Sequence, residues 1–228
     1  MQPNITPLKT SDDSITFHNS DVDETYHSKS GAIEESLKKF IQPSNLNKLR
    51  RAVILDFCFG IGYNSACAID NFQGDEIEII ALENDENILN KIPDLNPDFK
   101  NFKIIKELIK NNENRQIKIL NTPINQDNRP DIPLKITLIV DDAKNTLKDL
   151  PDNFFDIIYF DPFSPKKCPD LWTEDVFKEI ARVMKKGANL TTYSCASQVR
   201  KNMIAANLLP KDGPIVGRRA PSTIAIKE

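Results

Sequence analysis

Residues 52–72 read AVILDFCFGIGYNSACAIDNF. An apolar run broken only by Asp56 reads as a strand buried on both faces, the pattern of parallel sheets. Gly60-Ile61-Gly62 then turns the chain into a stretch compatible with a helix. Glycines there let the backbone approach a ligand closely, and a helix N-terminus favours negative charge. Only GxG is present, without the third glycine of the dinucleotide fingerprint, and a plain strand–helix turn would look the same.

Working outward, the same alternation recurs. IEIIALE at 77–83 reads as a second strand followed by a short helix, NDENILNKI. ITLIV at 136–140 is a third strand, DIIYF at 156–160 a fourth and ANLTTYS at 188–194 a fifth. Thr173 caps a helix over 174–185 that Gly187 stops, and another helix covers roughly 197–206. PIVGRRAPSTIAIKE at the end suits an antiparallel hairpin. Strands alternating with helices predict a doubly wound α/β sheet. Upstream, residues 1 to about 20 are polar and read as a loose arm. GAIEESLKKFI at 31–41 reads as a helix whose apolar face carries Ile33, Leu37, Phe40 and Ile41. The Pro-, Asn- and Lys-rich segment 93–134 reads as an insertion covering one end of the sheet, with a helix at 102–110 and a short strand at 117–120. The expected organisation is an arm and helix over 1–45 and one domain over 46–228.

With 228 residues, 39% hydrophobic and 28% charged, the chain has the make-up of one ordinary α/β domain. No apolar stretch approaches the ~18 residues of a membrane span, and the N-terminus has no signal-peptide pattern, so a cytoplasmic location is expected. Cys58, Cys67, Cys168 and Cys195 are scattered without a CxxC pair, and His18 and His27 are isolated, so no metal site is expected. A net charge of −3 gives no global pull toward nucleic acid. Any RNA partner would need a local patch, for which Lys166, Lys167, Arg200, Lys201, Arg218 and Arg219 are candidates; a solvated face is the alternative.

Three strand ends carry acidic residues. Glu83 ends the second strand, where a carboxylate can accept both hydroxyls of a ribose, or simply face solvent. Asp142, followed by Ala143, ends the third, where it can accept from an adenine amino group or N-cap the next helix. With the glycine turn, these fit an adenosine ligand. The missing third glycine favours S-adenosylmethionine over NAD, because the former has no pyrophosphate. Asp161 ends the fourth strand in FDIIYFDPFSPKKCPDLW (155–172), where open α/β sheets bind ligands. A prolyl turn that can continue neither strand nor helix follows it, though a purely structural turn residue would look alike. Phe163 and Trp172 are candidates to stack on a base, with core packing as the alternative.

With these residues in view, the chain resembles the class I methyltransferases and, more narrowly, the methyltransferase domain of the MnmC family. The resemblance rests on Thr25-Tyr26-His27-Ser28 before Gly31…Glu34-Glu35-Ser36, the loop Phe59-Gly60-Ile61-Gly62-Tyr63-Asn64, and Asp142-Ala143. It rests above all on Asp161-x-Phe163-Ser164-Pro165-x-x-x-Pro169-x-Leu171-Trp172-Thr173, and on Gly217-Arg218-Arg219 near the end. Cys58, where a glycine is usual, and Pro162, where a small residue is usual, depart from the pattern. The resemblance implies a Rossmann-like, seven-stranded, mostly parallel sheet with helices on both faces and an antiparallel C-terminal hairpin. It implies S-adenosylmethionine held by Asp56, Phe59, Gly60, Gly62, Asn64, Glu83, Asp142 and Ala143. The implied substrate is the 5-aminomethyl group of wobble uridine 34 in the anticodon stem-loop of tRNA, met by Tyr26, Phe163, Pro165, Trp172, Arg218 and Arg219. His27 sits in the matching segment as a pocket residue or an ordinary hydrogen-bonded histidine. The 228 residues leave no room for the FAD-dependent oxidase domain of the fused enzymes, so a separate enzyme supplying the aminomethyl precursor is expected.

Methyl transfer to an amine needs the amine neutral and positioned. Asp161 is the expected acceptor that orients the amine and takes its proton. The competing expectations are an aminopropyltransferase like spermidine synthase and a non-catalytic RNA-binding domain of the same fold.

Overall fold

The computed structural model describes residues 5–111, 116–125 and 130–228, so the first residues of the expected arm and parts of the segment 93–134 lie outside the described residues. The described part of the arm is structured. Strands β1 (Ile5–Lys9), β2 (Ile15–Asn19) and β3 (Glu24–Thr25) form a three-stranded antiparallel sheet, with Phe17 and Thr16 buried. The polar run that suggested a loose arm is the β1–β2 turn. Asp12 there accepts from Thr10 Oγ1 (2.5 Å), Ser14 Oγ (2.6 Å) and the Glu34 amide (2.9 Å), tying the hairpin to the next helix. Burial pushes its carboxyl up, but these bonds outweigh burial and hold it at about 2.

Helix α1 (Ala32–Glu35) continues into a π-helical turn over Ser36–Ile41. The wider turn shifts the buried face away from a regular 3.6-residue period. Glu35, Ser36 and Lys39 are buried, whereas Ile33 and Leu37, expected on the core face, are only half-buried.

The main sheet has strands β4 (Arg51–Phe57), β5 (Glu76–Glu83), β6 (Ile117–Ile124), β7 (Ile132–Val140), β8 (Phe155–Phe160), β9 (Met184–Thr192), β10 (Leu208–Asp212) and β11 (Thr223–Lys227). Their order is β10-β11-β9-β8-β4-β5-β7-β6, parallel from β9 through β7 and antiparallel at both edges. This is the expected mostly parallel α/β sheet with one strand more than the expected seven. The eighth is β6, from the expected insertion, which pairs antiparallel with β7 and widens the sheet rather than covering its end.

Helices α2 (Tyr63–Asn71), α3 (Glu86–Leu89) and α4 (Phe102–Lys110) pack on one face, and α5 (Ala143–Asp149), α6 (Glu174–Val183) and α7 (Ser197–Ala205) on the other. Alternate strand residues feed two cores: Ile54, Ile79 and Tyr159 enter the first, and Leu55, Leu82 and Phe160 the second. Thr173 caps α6, its hydroxyl accepting from the Val176 amide, as the sequence suggested. Gly187, however, does not end that helix. The chain passes from Val183 directly into β9, and Gly187 (φ +77°) lies inside the strand beside the register jump from Phe155↔Met184 to Ile157↔Asn189, a bulge. The closing hairpin also begins earlier than expected, with β10 at Leu208 and a loop over 213–222.

Candidate active site

From β4 the chain winds outward to β5 and β7, then returns to β8 on the opposite side of β4. The turn after β4 and the loop after β8 therefore meet at the carboxyl end of the sheet, at its topological switch point. The Asp161 amide donates to the Phe57 carbonyl at 3.1 Å, and Asn64 Nδ2 on the first turn of α2 donates to Asp161 Oδ2 at 2.9 Å.

The turn needs left-handed backbone at Cys58 (φ +67°), Gly60 (φ +56°) and Gly62 (φ +78°). A Cβ on Gly62 would stand 2.6 Å from Phe59 Cζ and 2.9 Å from Ile105 Cγ2, so glycine is required there. Cys58 adopts the same conformation with a side chain, at a cost of about 1–2 kcal/mol, which accounts for glycine at this place in the resembled family. Glu83 closes the turn from β5. Its carboxylate accepts from the amides of Gly60 (2.7 Å), Asn84 (2.9 Å) and Asp85 (2.9 Å). Burial still holds its proton affinity above the ordinary carboxylate value despite those three bonds.

A cavity of about 600 Å³ opens between this turn, the β8 loop and the N-terminal sheet. It brings together Asp161, Glu83, Phe59, Gly60, Tyr26, Phe163 and Arg218 from the sequence-derived set. The Tyr26 hydroxyl donates to Asp85 Oδ2 at 2.6 Å, and its ring lies 5.0 Å from that of Phe163. Glu24 accepts from the Ser164 amide at 2.8 Å, and Lys167 Nζ meets Asp23 Oδ2 at 3.0 Å, so the N-terminal sheet holds the β8 loop.

Other expected residues lie outside the lining. Asp56 is buried beneath the turn, accepting from Ser65 Oγ at 2.6 Å, and burial pushes its carboxyl up to about 7. Gly62 caps α2, and Asn64 stands one layer below the cavity, behind Asp161. Asp142 uses its carboxylate to cap α5, accepting from the Lys144 and Asn145 amides, with Ala143 buried beside it. Pro165 sits half-buried in the loop, and Arg219 is exposed. Trp172 corrects the expected base-stacking role: the indole is 3% exposed, edge-on to Phe160 and Tyr193, and its Nε1 donates to the Phe163 carbonyl at 2.8 Å. It anchors the loop from within the core. The basic patch also shrinks, because Arg200 pairs with Asp212 at 2.7 Å, Lys167 pairs with Asp23, and Arg218 donates to the carbonyls of Tyr193 and Pro221.

Among the lining residues, Glu35 and Lys39 had no role from sequence, and His27 lines the cavity as one of its two expected readings had it. Glu35 and Lys39 form a buried pair at 2.7 Å, and His27 stacks on Tyr63 with ring centres 5.3 Å apart. An i,i+4 Glu–Lys pair reads as a solvent-facing helix pair; the π turn that carries it inward has no clear sequence mark. Burial, then the Glu35 charge, push the Asp161 carboxyl well above its ordinary value, against the Asn64 bond and the Lys39 charge.

A doubly wound sheet with its glycine turn and acidic strand ends around a switch-point cavity defines a Rossmann-like methyltransferase. The chain belongs to the S-adenosyl-L-methionine-dependent methyltransferase family, whose match spans residues 99–228. Its architecture resembles MnmC2 from Aquifex aeolicus, with a TM-score of 0.75 and 26% identity over 98% of this chain and 70% of that one. An uncharacterized protein of Methanocaldococcus jannaschii is 30% identical over 96% of this chain and 59% of its own length. The tRNA 5-methylaminomethyl-2-thiouridine biosynthesis bifunctional protein MnmC of Pseudomonas fluorescens is 27% identical over 86% of this chain and 31% of its own length. The chain thus spans under two thirds of the length of these two relatives. Among the described residues, no helix is long and apolar enough to cross a membrane.

The site suits the family's cofactor. Gly60 puts bare backbone in the cavity wall, and the lining holds the carboxylates of Asp21, Glu24, Glu35, Glu83, Asp85 and Asp161 against the cations of Lys39 and Arg218. An acidic cavity of this size fits a ligand carrying a sulfonium and an ammonium.

Proposed function

We propose that this protein methylates the 5-aminomethyl group of the wobble uridine in tRNA. The observation that carries the reading is Asp161, side chain 8% exposed, lining an acidic cavity at the switch point and braced by Asn64. Glu83, Phe59 and Gly60 would hold S-adenosylmethionine directly, with Asp56, Gly62 and Asn64 shaping the turn beneath it and Asp142 and Ala143 flanking the adenine side. When bound, that cofactor supplies a methyl group on a positively charged sulfur. Asp161 accepts a hydrogen bond from the substrate amine, directs its lone pair and removes its proton; a raised carboxyl is better matched to that task than an ordinary one. Tyr26 and Phe163 offer aromatic surface to an everted base, Pro165 stiffens the loop it meets, and exposed Arg219 and Lys166 face the phosphates of the anticodon stem-loop. A separate enzyme supplies the aminomethyl precursor, and the cell compartment is the cytoplasm, where tRNA is modified.

The acidic lining would also attract a polyamine, so the test sets the two amines in competition. The protein is incubated with labelled S-adenosylmethionine, or its decarboxylated form, together with tRNA and putrescine. Methyl label entering tRNA is the expected result. Label in the polyamine alone, or in neither, rejects the reading.

A further inference from the structure

His27 follows β3 in the cavity wall, 5% exposed, with its ring stacked on Tyr63 and its amide donating to Thr16 Oγ1 at 3.0 Å. Tyr63 is itself fixed by a hydrogen bond to the Ile15 carbonyl at 2.8 Å. The buried Nδ1 of His27 has no hydrogen-bond partner among the described residues. It stands 3.9 Å from Asp161 Oδ2 and 3.9 Å from Glu35 Oε2, too far for a hydrogen bond to either. Glu35 is held in place by the Ser28 amide on Oε2 and Lys39 Nζ on Oε1, both at 2.7 Å. A buried ring nitrogen left unpaired costs about 1–3 kcal/mol, and a phenyl ring would stack on Tyr63 without that cost. The nitrogen is placed to receive something between two carboxylates.

We propose that His27 is a positioning residue that takes the amine's proton on from Asp161 and holds it between Asp161 and Glu35. This rests on the amine-methylation reading above. An N–H bond of the substrate ammonium breaks as an O–H bond forms on Asp161, leaving the neutral amine. That O–H bond then breaks as an N–H bond forms at His27 Nδ1. Asp161 returns to carboxylate, the imidazolium faces Asp161 and Glu35, and the proton passes to water after product leaves. Burial raises the proton affinity of Asp161 and lowers that of His27, so the ring holds the proton only in passing on its way to water. Burial lowers the proton affinity of His27, while Glu35 on α1 and Asp12 in the β1–β2 turn raise it. Lys39 on the π turn neutralises part of the Glu35 charge, and the Tyr63 hydroxyl is engaged elsewhere. The resting ring is therefore neutral, with its acceptor free.

The chain has two histidines, so nitrogen-15 NMR of histidine-labelled protein resolves both, with His18→Gln assigning them. The expected result at pH 7 is His27 protonated on Nε2 with Nδ1 bare, and an Nδ1 signal that moves when Asp161→Asn removes the facing charge. Single-turnover methyl transfer by His27→Phe and His27→Asn should fall about tenfold or more at pH 7. The deficit should shrink toward pH 9, where the amine loses its proton unaided, with cofactor affinity unchanged and the thermal midpoint of His27→Phe at or above that of the native protein. An Nδ1 that carries a proton at pH 7 and ignores Asp161→Asn overturns the proposal. So do variants that keep the native pH–rate profile, or that lose cofactor binding and rate together. A native protein that methylates no tRNA defeats the amine reading instead, and the NMR result still decides the state of His27.

Discussion

Replacing Asp56 with asparagine should remove a pH-dependent loss of stability. The carboxyl is fully buried, accepts from Ser65, and has an Oδ1 without a partner among the described residues. Burial raises it from 3.8 to about 7 against the Ser65 bonds. Because the folded value lies above the unfolded one, the native state holds the proton more tightly between them. Stability is fully present below about pH 4 and declines as pH rises through 7. A tenfold change in proton affinity is worth about 1.36 kcal/mol, so the 3.8-to-7 difference amounts to about 4 kcal/mol in full, of which about 2.5 kcal/mol falls between pH 5 and 8. Asparagine mimics the protonated acid, accepting from Ser65 and staying neutral throughout. Urea unfolding of both proteins without cofactor at pH 5, 6, 7 and 8 reads the difference directly. The variant should gain about 2.5 kcal/mol on the native protein across that range. Unfolding free energies that move in parallel would refute the reasoning, because Glu83 and Asp161 titrate in both proteins and cancel.

Asp161→Asn should lower single-turnover methyl transfer about 100-fold or more at pH 7 while calorimetric affinity for S-adenosylmethionine stays within about threefold. Trp172→Phe loses the hydrogen bond to the Phe163 carbonyl and should cost about 1 kcal/mol by chemical unfolding, whereas Trp172→Ala should cost about 3–5 kcal/mol. Gly62→Ala must hold alanine at φ +78° against Phe59, which adds about 1–2 kcal/mol of backbone strain to the crowding and should weaken cofactor binding measured by calorimetry. Arg219→Ala should lower the salt dependence of tRNA binding by about one contact, and Lys167→Ala by less, since Lys167 already pairs with Asp23.

The parallel core of the sheet was legible because strands buried on both faces leave unbroken apolar runs, as at 52–57 and 156–160. Glu83 and Asp161 were legible for a related reason: an acidic residue closing such a run stands at the ligand-binding end of the sheet. What escaped lay in segments whose structure depends on distant partners. The β1–β2 hairpin is polar in sequence and gains its order from Asp12 reaching Glu34 and from Glu24 reaching Ser164. The edge strand β6 was read at 117–120, but its extension to 124 and its place beside β7 need the partner strand to define them. Gly187 looked like a helix stop, since a left-handed glycine serves a helix end and a strand bulge equally well. Trp172 and Phe163, nine residues apart in one loop, looked interchangeable, but only the three-dimensional packing sends the indole into the core and leaves the phenyl ring in the cavity wall. Glu35 and Lys39 were hidden by the π turn, which carries a pair with surface-like spacing to the bottom of the site.

The central claim is methyl transfer to the aminomethyl nitrogen of a wobble uridine, and nucleoside mass spectrometry tests it most directly. An anticodon stem-loop bearing 5-aminomethyl-2-thiouridine, and a matched one bearing unmodified uridine, are incubated with the protein and S-adenosylmethionine and then digested. The account predicts one added methyl on the aminomethyl nucleoside alone, formed about 100-fold or more slowly by Asp161→Asn. Methylation of the unmodified stem-loop, methylation at another nucleoside, or none in either would contradict it.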